Sequence, residues 1–398
     1  MDLTIYPGIL TGSLAAIPSK SQAHRLLICA AFADNPTTVI CRETNRDIEA
    51  TIDCLNALSA NISPIPNGYQ VTPVSLPPES AVLNCCESGS TLRFMLPIVG
   101  ALGVDAVFEL EGRLPQRPLS PLWEEMERMG CTLSRPTSNT IRCQGKLQAG
   151  EYTIAGNVSS QYITGLLLAL PLLNGNSRIT ITGTLESKPY VDLTQQTIRK
   201  FDVYSTPDLI RGGQVYHSPG WMRVESDWSN AAFFLAAGEL ENPIFVHNLD
   251  TDSVQGDRIV HSLLPRMQEL ITIPVADIPD LVPILSVVAA CKNGAFFKEI
   301  QRLRLKESDR VESTIAMIEA LGGKAEATDS VLTVYGTGLR GGIVDSQNDH
   351  RIAMSAAIAS TVCTEPVTIL GAQCVNKSYP KFWEEFSRLG GRYEQYLR

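Results

Sequence analysis

The stretch "IEALGGKAEA" (Ile318–Ala327) runs from a helical ending through an apolar anchor, Leu321, and two glycines into a short β-like segment. The same succession appears in "NALSANISPI" (Asn56–Ile65), "ERMGCTLS" (Glu127–Ser134), "IRKFDVYS" (Ile198–Ser205), "MQELITIP" (Met267–Pro274) and "SRLGGRYEQY" (Ser387–Tyr396). In chain order the anchors are Leu58, Met129, Phe201, Leu270, Leu321 and Leu389, separated by 71, 72, 69, 51 and 68 residues. Any α/β chain turns from helix to strand in this way, so one copy says little. Six copies at nearly constant spacing predict an internal unit of roughly 65 to 70 residues, too long for the common solenoids and suited to two helices and several strands.

Bulk composition narrows the class. The chain has 398 residues, 44% of them hydrophobic, which is enough for more than one core. Its 33 basic and 42 acidic residues leave a net charge of −9, which argues against a nucleic-acid or anionic-membrane surface. The start "MDLTIYPGIL" lacks a basic region followed by a long apolar run, and "GLLLALPLL" is too short to span a bilayer, so a cytoplasmic protein is expected. The 10 cysteines show no metal-ligand spacing and are expected to be reduced and mostly buried, with no metal bound. Gly336, Gly338 and Gly341 have G-x-G-x-x-G spacing, but "IVDSQND" follows where a dinucleotide site needs a helix. No G-x-x-x-x-G-K-[ST] loop offers a cradle for ATP.

In "IPSKSQAHRLLICAAFA" (Ile17–Ala33), Ser19 or Ser21 can cap a buried helix, and Lys20 and Arg25 lie within its first turns. Free N–H groups, hydroxyls and cations at such a mouth can also hold a phosphate or carboxylate. The chain repeats the arrangement in "CCESGSTLRFMLPIVGAL", "GNVSSQYITGLLLALPLL", "ESDWSNAAFFLAAGEL", "DIPDLVPILSVVAA", "LKESDRVESTIAMIEALGG", "DHRIAMSAAIAS" and "NKSYPKFWEEF". Lys20, Arg25, Arg93, Arg117, Lys306, Arg310, Arg351 and Lys377 sit at these tips or in "GRLPQRP". An acidic chain that places its cations there is suited to a small polyanion.

The segments "SKSQAHR", "SGSTLRF", "GRLPQRP", "GNVSSQY", "SKPYVDLT", "LRLKESDR", "NDHRIAMS" and "NKSYPKFWEEF" stand in an order that resembles the 5-enolpyruvylshikimate-3-phosphate synthases of the enolpyruvyl transferase family. The resemblance implies a two-domain inverse α/β barrel built from six βαβαββ-type repeats, three per domain. Residues 1–18 with 225–398 would form one domain and 19–224 the other, with the active site in the cleft between them. It implies transfer of a carboxyvinyl group from phosphoenolpyruvate to the 5-hydroxyl of shikimate 3-phosphate by a monomer, with no cofactor.

By the same resemblance, Lys20, Ser21, Arg25, Ser159, Ser160, Gln161, Ser187, Asp280 and Lys306 contact shikimate 3-phosphate. Lys20, Gly89, Arg117, Gln161, Arg310, Arg351 and Lys377 contact phosphoenolpyruvate, and Gly89 also faces the herbicide glyphosate. Asp280 takes the hydroxyl proton, Glu307 protonates carbon, and Arg93, Tyr190 and His350 give support. Taken alone, Asp280 suits a helix cap, Glu307 a first-turn acid, Gly89 a turn glycine and His350 a buried structural histidine. The chain departs from the family pattern at Ile17-Pro18, His24, Phe94 and Arg302, which bears on affinity and domain closure. A relative acting on UDP-N-acetylglucosamine should instead carry a reactive Cys where this chain has "GRLPQRP" and should lack the "SSQ" and "SKPY" segments.

Overall fold

A computed structural model describes residues 1–396. The chain separates into a unit Pro18–Glu225 and a second unit of Met1–Ile17 with Ser226–Arg398.

In the first unit the helices are α1 (Lys20–Ala31), α2 (Arg46–Ala57), α3 (Gly89–Leu102), α4 (Leu122–Arg128), α5 (Ser160–Ala169) and α6 (Lys188–Arg199). One sheet has the order Trp221–Arg223, Thr37–Ile40, Gly68–Thr72, Asn61–Ile65, and another the order Ser80–Asn84, Asp105–Glu109, Thr140–Gly145, Cys131–Ser134. Each begins with a parallel pair and continues antiparallel. A parallel pair needs a crossover connection, supplied here by α3 between Ser80–Asn84 and Asp105–Glu109 and by α5 between the parallel strands Glu151–Ala155 and Arg178–Thr182. Each crossover thereby brings a helix N-terminus close after the C-terminal end of a strand.

The second unit contains α7 (Trp228–Glu239), α8 (Val260–Leu263), α9 (Val282–Cys291), α10 (Arg310–Ala320), α11 (His350–Ala359) and α12 (Phe382–Arg388). Its sheets run Ile271–Pro274, Ala295–Lys298, Val331–Tyr335, Lys324–Ala327 and Gly342–Asp345, Val367–Leu370, Asp2–Tyr6, Arg392–Tyr396. Again the first pair of each is parallel and the rest antiparallel. A further parallel pair joins Gly12–Ala15 to Ile244–His247. Each unit has its own apolar core. The crossover helix α9 is apolar nearly all round and buries Val282 to Ala290, the pattern of a helix enclosed on every side.

Five of the six expected anchors are buried: Leu58, Met129, Phe201, Leu321 and Leu389. Leu270 is not, being 60% exposed, and Met267 fills the apolar place three residues earlier. The chain before Leu270 is a 3₁₀ turn, Leu264–Gln268, too short to present a regular helical face. After Leu270 the chain enters Ile271–Pro274 and then α9 without the hairpin that follows Leu58, Met129, Phe201 and Leu321, and that difference accounts for the 51 residues between Leu270 and Leu321. The units are therefore not of equal length. After Gly336, Gly338 and Gly341 the chain enters the strand Gly342–Asp345 rather than a helix. Among the described residues no helix is long and apolar enough to cross a membrane.

Candidate active site

Short polar side chains start the helices that carry the candidate residues. In the first unit Ser19, Ser88 and Ser159 cap α1, α3 and α5, accepting from the backbone N–H of Gln22, Thr91 and Gln161. Asp227, Asp309 and Asp349 do the same for α7, α10 and α11 in the second. Each cap satisfies one first-turn donor, or two in the case of Asp309, and leaves others open to an anion.

Within the first unit, Lys20 opens α1 and its Nζ lies 2.9 Å from Asp47 Oδ2. Arg25 is buried, donating from Nε to Thr194 Oγ1 at 2.8 Å and from Nη2 to the Tyr190 carbonyl at 3.1 Å, with its guanidinium over the Phe94 ring. Burial pushes Arg25 down to about 10, so it stays cationic at neutral pH. His24 is fully buried, and burial first, then Lys20 and Arg25, holds it well below 6.5 and neutral. Its Nδ1 meets Thr51 Oγ1 at 2.7 Å, and Thr51 in turn meets Thr91 at 2.8 Å, linking α1 to the mouth of α3.

At that mouth Arg93 donates to Gln161 Oε1 at 2.8 Å and to the Pro118 carbonyl at 3.1 Å, while Gln161 donates to Ser90 Oγ at 2.9 Å. Gly89 is the first residue of α3 and is not in the left-handed region, which removes the turn-glycine reading. A Cβ placed on it would stand 2.6 Å from Arg117 Nη1 and 2.8 Å from Arg93 Nη1. Arg117 Nε is buried without a hydrogen-bond partner among the described residues. Two guanidiniums, a bare glycine backbone and a helix N-terminus thus converge on one spot, an arrangement that can grip phosphate or carboxylate. Ser160 begins α5, and Ser187, buried in the left-handed region, precedes α6.

The second unit gathers the other candidates. Arg310 is 1% exposed and is met by three carboxylates: Asp280 Oδ1 at 2.6 Å, Glu307 Oε2 at 2.5 Å and Asp349 Oδ2 at 2.8 Å. Arg351 Nη2 donates to Asp280 Oδ2 at 3.0 Å and to Ser229 Oγ at 3.1 Å. Lys306 Nζ is 3.5 Å from Asp280 Oδ1, and Lys377 donates to the Asn348 carbonyl at 2.9 Å. Burial alone would raise the Asp280 carboxyl, but Arg351, Lys306 and Arg310 outweigh it and hold the group well below 3.8. Burial pushes Lys306 down to about 8 against the pull of Asp280, with Arg310 and Arg302 adding to the depression.

These contacts revise the local alternatives. Asp280 caps nothing, since α9 starts after Leu281 without a side-chain cap, and it serves instead as a carboxylate among cations. Glu307 lies outside α10, ahead of its cap Asp309, and binds the guanidinium of Arg310, the first residue of that helix. His350 is 1% exposed at the start of α11. Three partners were missed from sequence: Asp47, Ser229 and Asp349. Asp349 caps α11 through the Arg351 N–H at 2.9 Å while binding Arg310, so one acid orients both arginines. Its place ahead of two basic residues in "NDHR" was the available signal.

The family model described as EPSP synthase (3-phosphoshikimate 1-carboxyvinyltransferase) matches residues 6–273 and 263–386. A 3-phosphoshikimate 1-carboxyvinyltransferase of Clostridium beijerinckii is 38% identical, the alignment covering 99% of each chain. The chain belongs to the EPSP synthase family. Its mixed α/β two-domain fold is that of solved EPSP synthase structures: one from Acinetobacter baumannii superposes with a TM-score of 0.80 at 23% identity, over 99% of this chain and 100% of that one. The enolpyruvyl transferase NikO from Streptomyces tendae gives 0.76 at 17% identity, over 99% and 98% of the two chains, so the fold extends beyond EPSP synthases.

Proposed function

We infer that this chain transfers the carboxyvinyl group of phosphoenolpyruvate to the 5-hydroxyl of shikimate 3-phosphate, releasing phosphate, the step that leads toward chorismate and the aromatic amino acids. The α3 mouth carries the reading, since Arg93 and Arg117 bring two guanidiniums against the bare backbone of Gly89 at a helix N-terminus. Lys20, Gly89, Arg117, Gln161, Arg310, Arg351 and Lys377 take phosphoenolpyruvate. Lys20, Ser21, Arg25, Ser159, Ser160, Gln161, Ser187, Asp280 and Lys306 take shikimate 3-phosphate. Both constellations serve one reaction, in which Asp280 receives the hydroxyl proton as oxygen attacks and Glu307 delivers a proton to the methylene carbon; elimination then reverses the flow. Arg93, Tyr190 and His350 hold these groups in place. The reading includes a three-repeat inverse α/β barrel in each domain and a cytoplasmic monomer acting on small molecules alone, with no metal or organic cofactor.

Purified chain given both substrates, without metal or nucleotide, is expected to release phosphate, and to release none when either substrate is omitted. Activity abolished by chelators and restored by zinc would overturn the reading.

The depressed Lys306 yields a pH test. Its ammonium is charged below about 8 and neutral above, so kcat/KM for shikimate 3-phosphate should fall as pH rises through about 8. Lys306→Arg should move that fall to higher pH, because a guanidinium keeps its proton. An identical profile in the variant would remove Lys306 from substrate binding.

Gly89→Ala is expected to leave the fold intact and to weaken both phosphoenolpyruvate and glyphosate, the longer anion more. The new methyl meets Arg117 first, whose side-chain end can swing away, whereas Arg93 is fixed by Gln161 and Pro118. Overpacking of this size costs about 1–3 kcal/mol, or roughly 5- to 150-fold in affinity. Equal losses for the two ligands in an inhibition series would refute the difference in fit.

A further inference from the structure

We propose that Asp280 is an internal competitor for the substrate carboxylate, occupying Arg310 and Arg351 until phosphoenolpyruvate replaces it. The inference rests on the functional reading above and concerns the same residues. Asp280 places Oδ1 on Arg310 Nη1 at 2.6 Å and Oδ2 on Arg351 Nη2 at 3.0 Å. One carboxylate thus spans two guanidiniums, the grip a substrate carboxylate would itself use. Arg310 also binds Glu307 and Asp349, and Arg351 also meets the hydroxyl and carbonyl of Ser229 and the carbonyl of Asp280.

Exchange also changes what Asp280 can do. Held by Arg351, Lys306 and Arg310, its carboxylate is a weak base. Once substrate takes the arginines, Asp280 is left buried beside Lys306 with less compensation, and its affinity for a proton rises. Binding of one substrate thereby prepares the group that deprotonates the other. No covalent step is involved, only replacement of one carboxylate by another on the same guanidiniums.

An arginine pair that is open for only part of the time lowers apparent affinity by that fraction, and removing the competitor restores it. Titration calorimetry with phosphoenolpyruvate on the full chain is expected to show Asp280→Asn binding about tenfold more tightly than the parent, while kcat falls. Inorganic phosphate, which lacks the carboxylate, should gain less than about threefold, roughly half the effect on a logarithmic scale. In an Arg351→Gln background, where only Arg310 is left to contest, the gain for phosphoenolpyruvate should shrink to roughly half on a logarithmic scale. Unchanged or weaker binding by Asp280→Asn, or a gain undiminished in the Arg351→Gln background and so reflecting only the lost charge, overturns the proposal. Asp280→Ser serves as a second variant, with thermal melts confirming that both fold. If the parent releases no phosphate from the two substrates, the functional reading has failed; if it does and Asp280→Asn binds no tighter, only the exchange has failed.

Discussion

Lys20→Met is expected to reduce turnover by about a hundredfold or more, because a charge-assisted contact at a site of developing charge is worth ~3 kcal/mol. The methionine keeps the length of the side chain at the start of α1 and removes only the ammonium. Asp47 loses its partner at 2.9 Å but is 15% exposed, so water can replace the lysine and the melting temperature should stay close to that of the parent. Steady-state kinetics beside a thermal melt separates the two effects. Turnover within a few-fold of the parent would place Lys20 outside the reaction and leave it an ion-pair partner of Asp47.

Arg310→Leu should act on stability as strongly as on activity. The guanidinium is 1% exposed among Asp280, Glu307 and Asp349, and removing it strands acids that are 17%, 25% and 0% exposed. Breaking a buried pair in this way costs about 3–5 kcal/mol, which for a unit of this size lowers the melting midpoint by roughly 10 °C. The sign with pH follows from Asp349. In the parent, burial would raise its carboxyl, but Arg310 holds it below 3.8, so the pair stabilises above that pH and its contribution is lost as pH falls. In the variant burial, joined by Glu307, outweighs the remaining pull of His350 and favours the protonated acid. The deficit should therefore be smaller at pH 5 than at pH 8. Melts at both pH values check this, and a deficit independent of pH would mean that lost packing rather than stranded charge is responsible.

The parts of the molecule legible in sequence are those governed by nearby residues. Ser19, Ser88, Ser159, Asp309 and Asp349 announce their helices because a cap acts on the N–H two or three residues on. Leu58 and Leu321 mark helix ends for the same local reason. Pairings across long separations have no such signal. Nothing in "WMR" points to a parallel neighbour at Thr38–Ile40, and nothing in Lys20 points to an acid 27 residues away on α2. The quoted segments held the candidate cations, but only the fold shows that Asp280, Glu307 and Asp349 are already bound to them. Leu270 misled because an apolar residue before a β-like run reads as an anchor whether the preceding turn is α-helical or too short to bury it.

The strand Asp2–Tyr6 lies between Val367–Leu370 and Arg392–Tyr396, antiparallel to both. On the ribosome it emerges roughly 360 residues ahead of Val367–Leu370 and further still ahead of Arg392–Tyr396. At about 5–20 residues per second, roughly 20 to 70 s of synthesis separate it from Val367. During that time Leu3 and Ile5, both fully buried in the finished protein, have no native strand to pair with. The Pro18–Glu225 unit faces no such wait, since its last strand, Trp221–Arg223, is made before Ser226, where the other unit resumes. The order of synthesis thus lets one unit close around its own core while the Asp2–Tyr6 strand of the other still waits for Val367–Leu370 and Arg392–Tyr396.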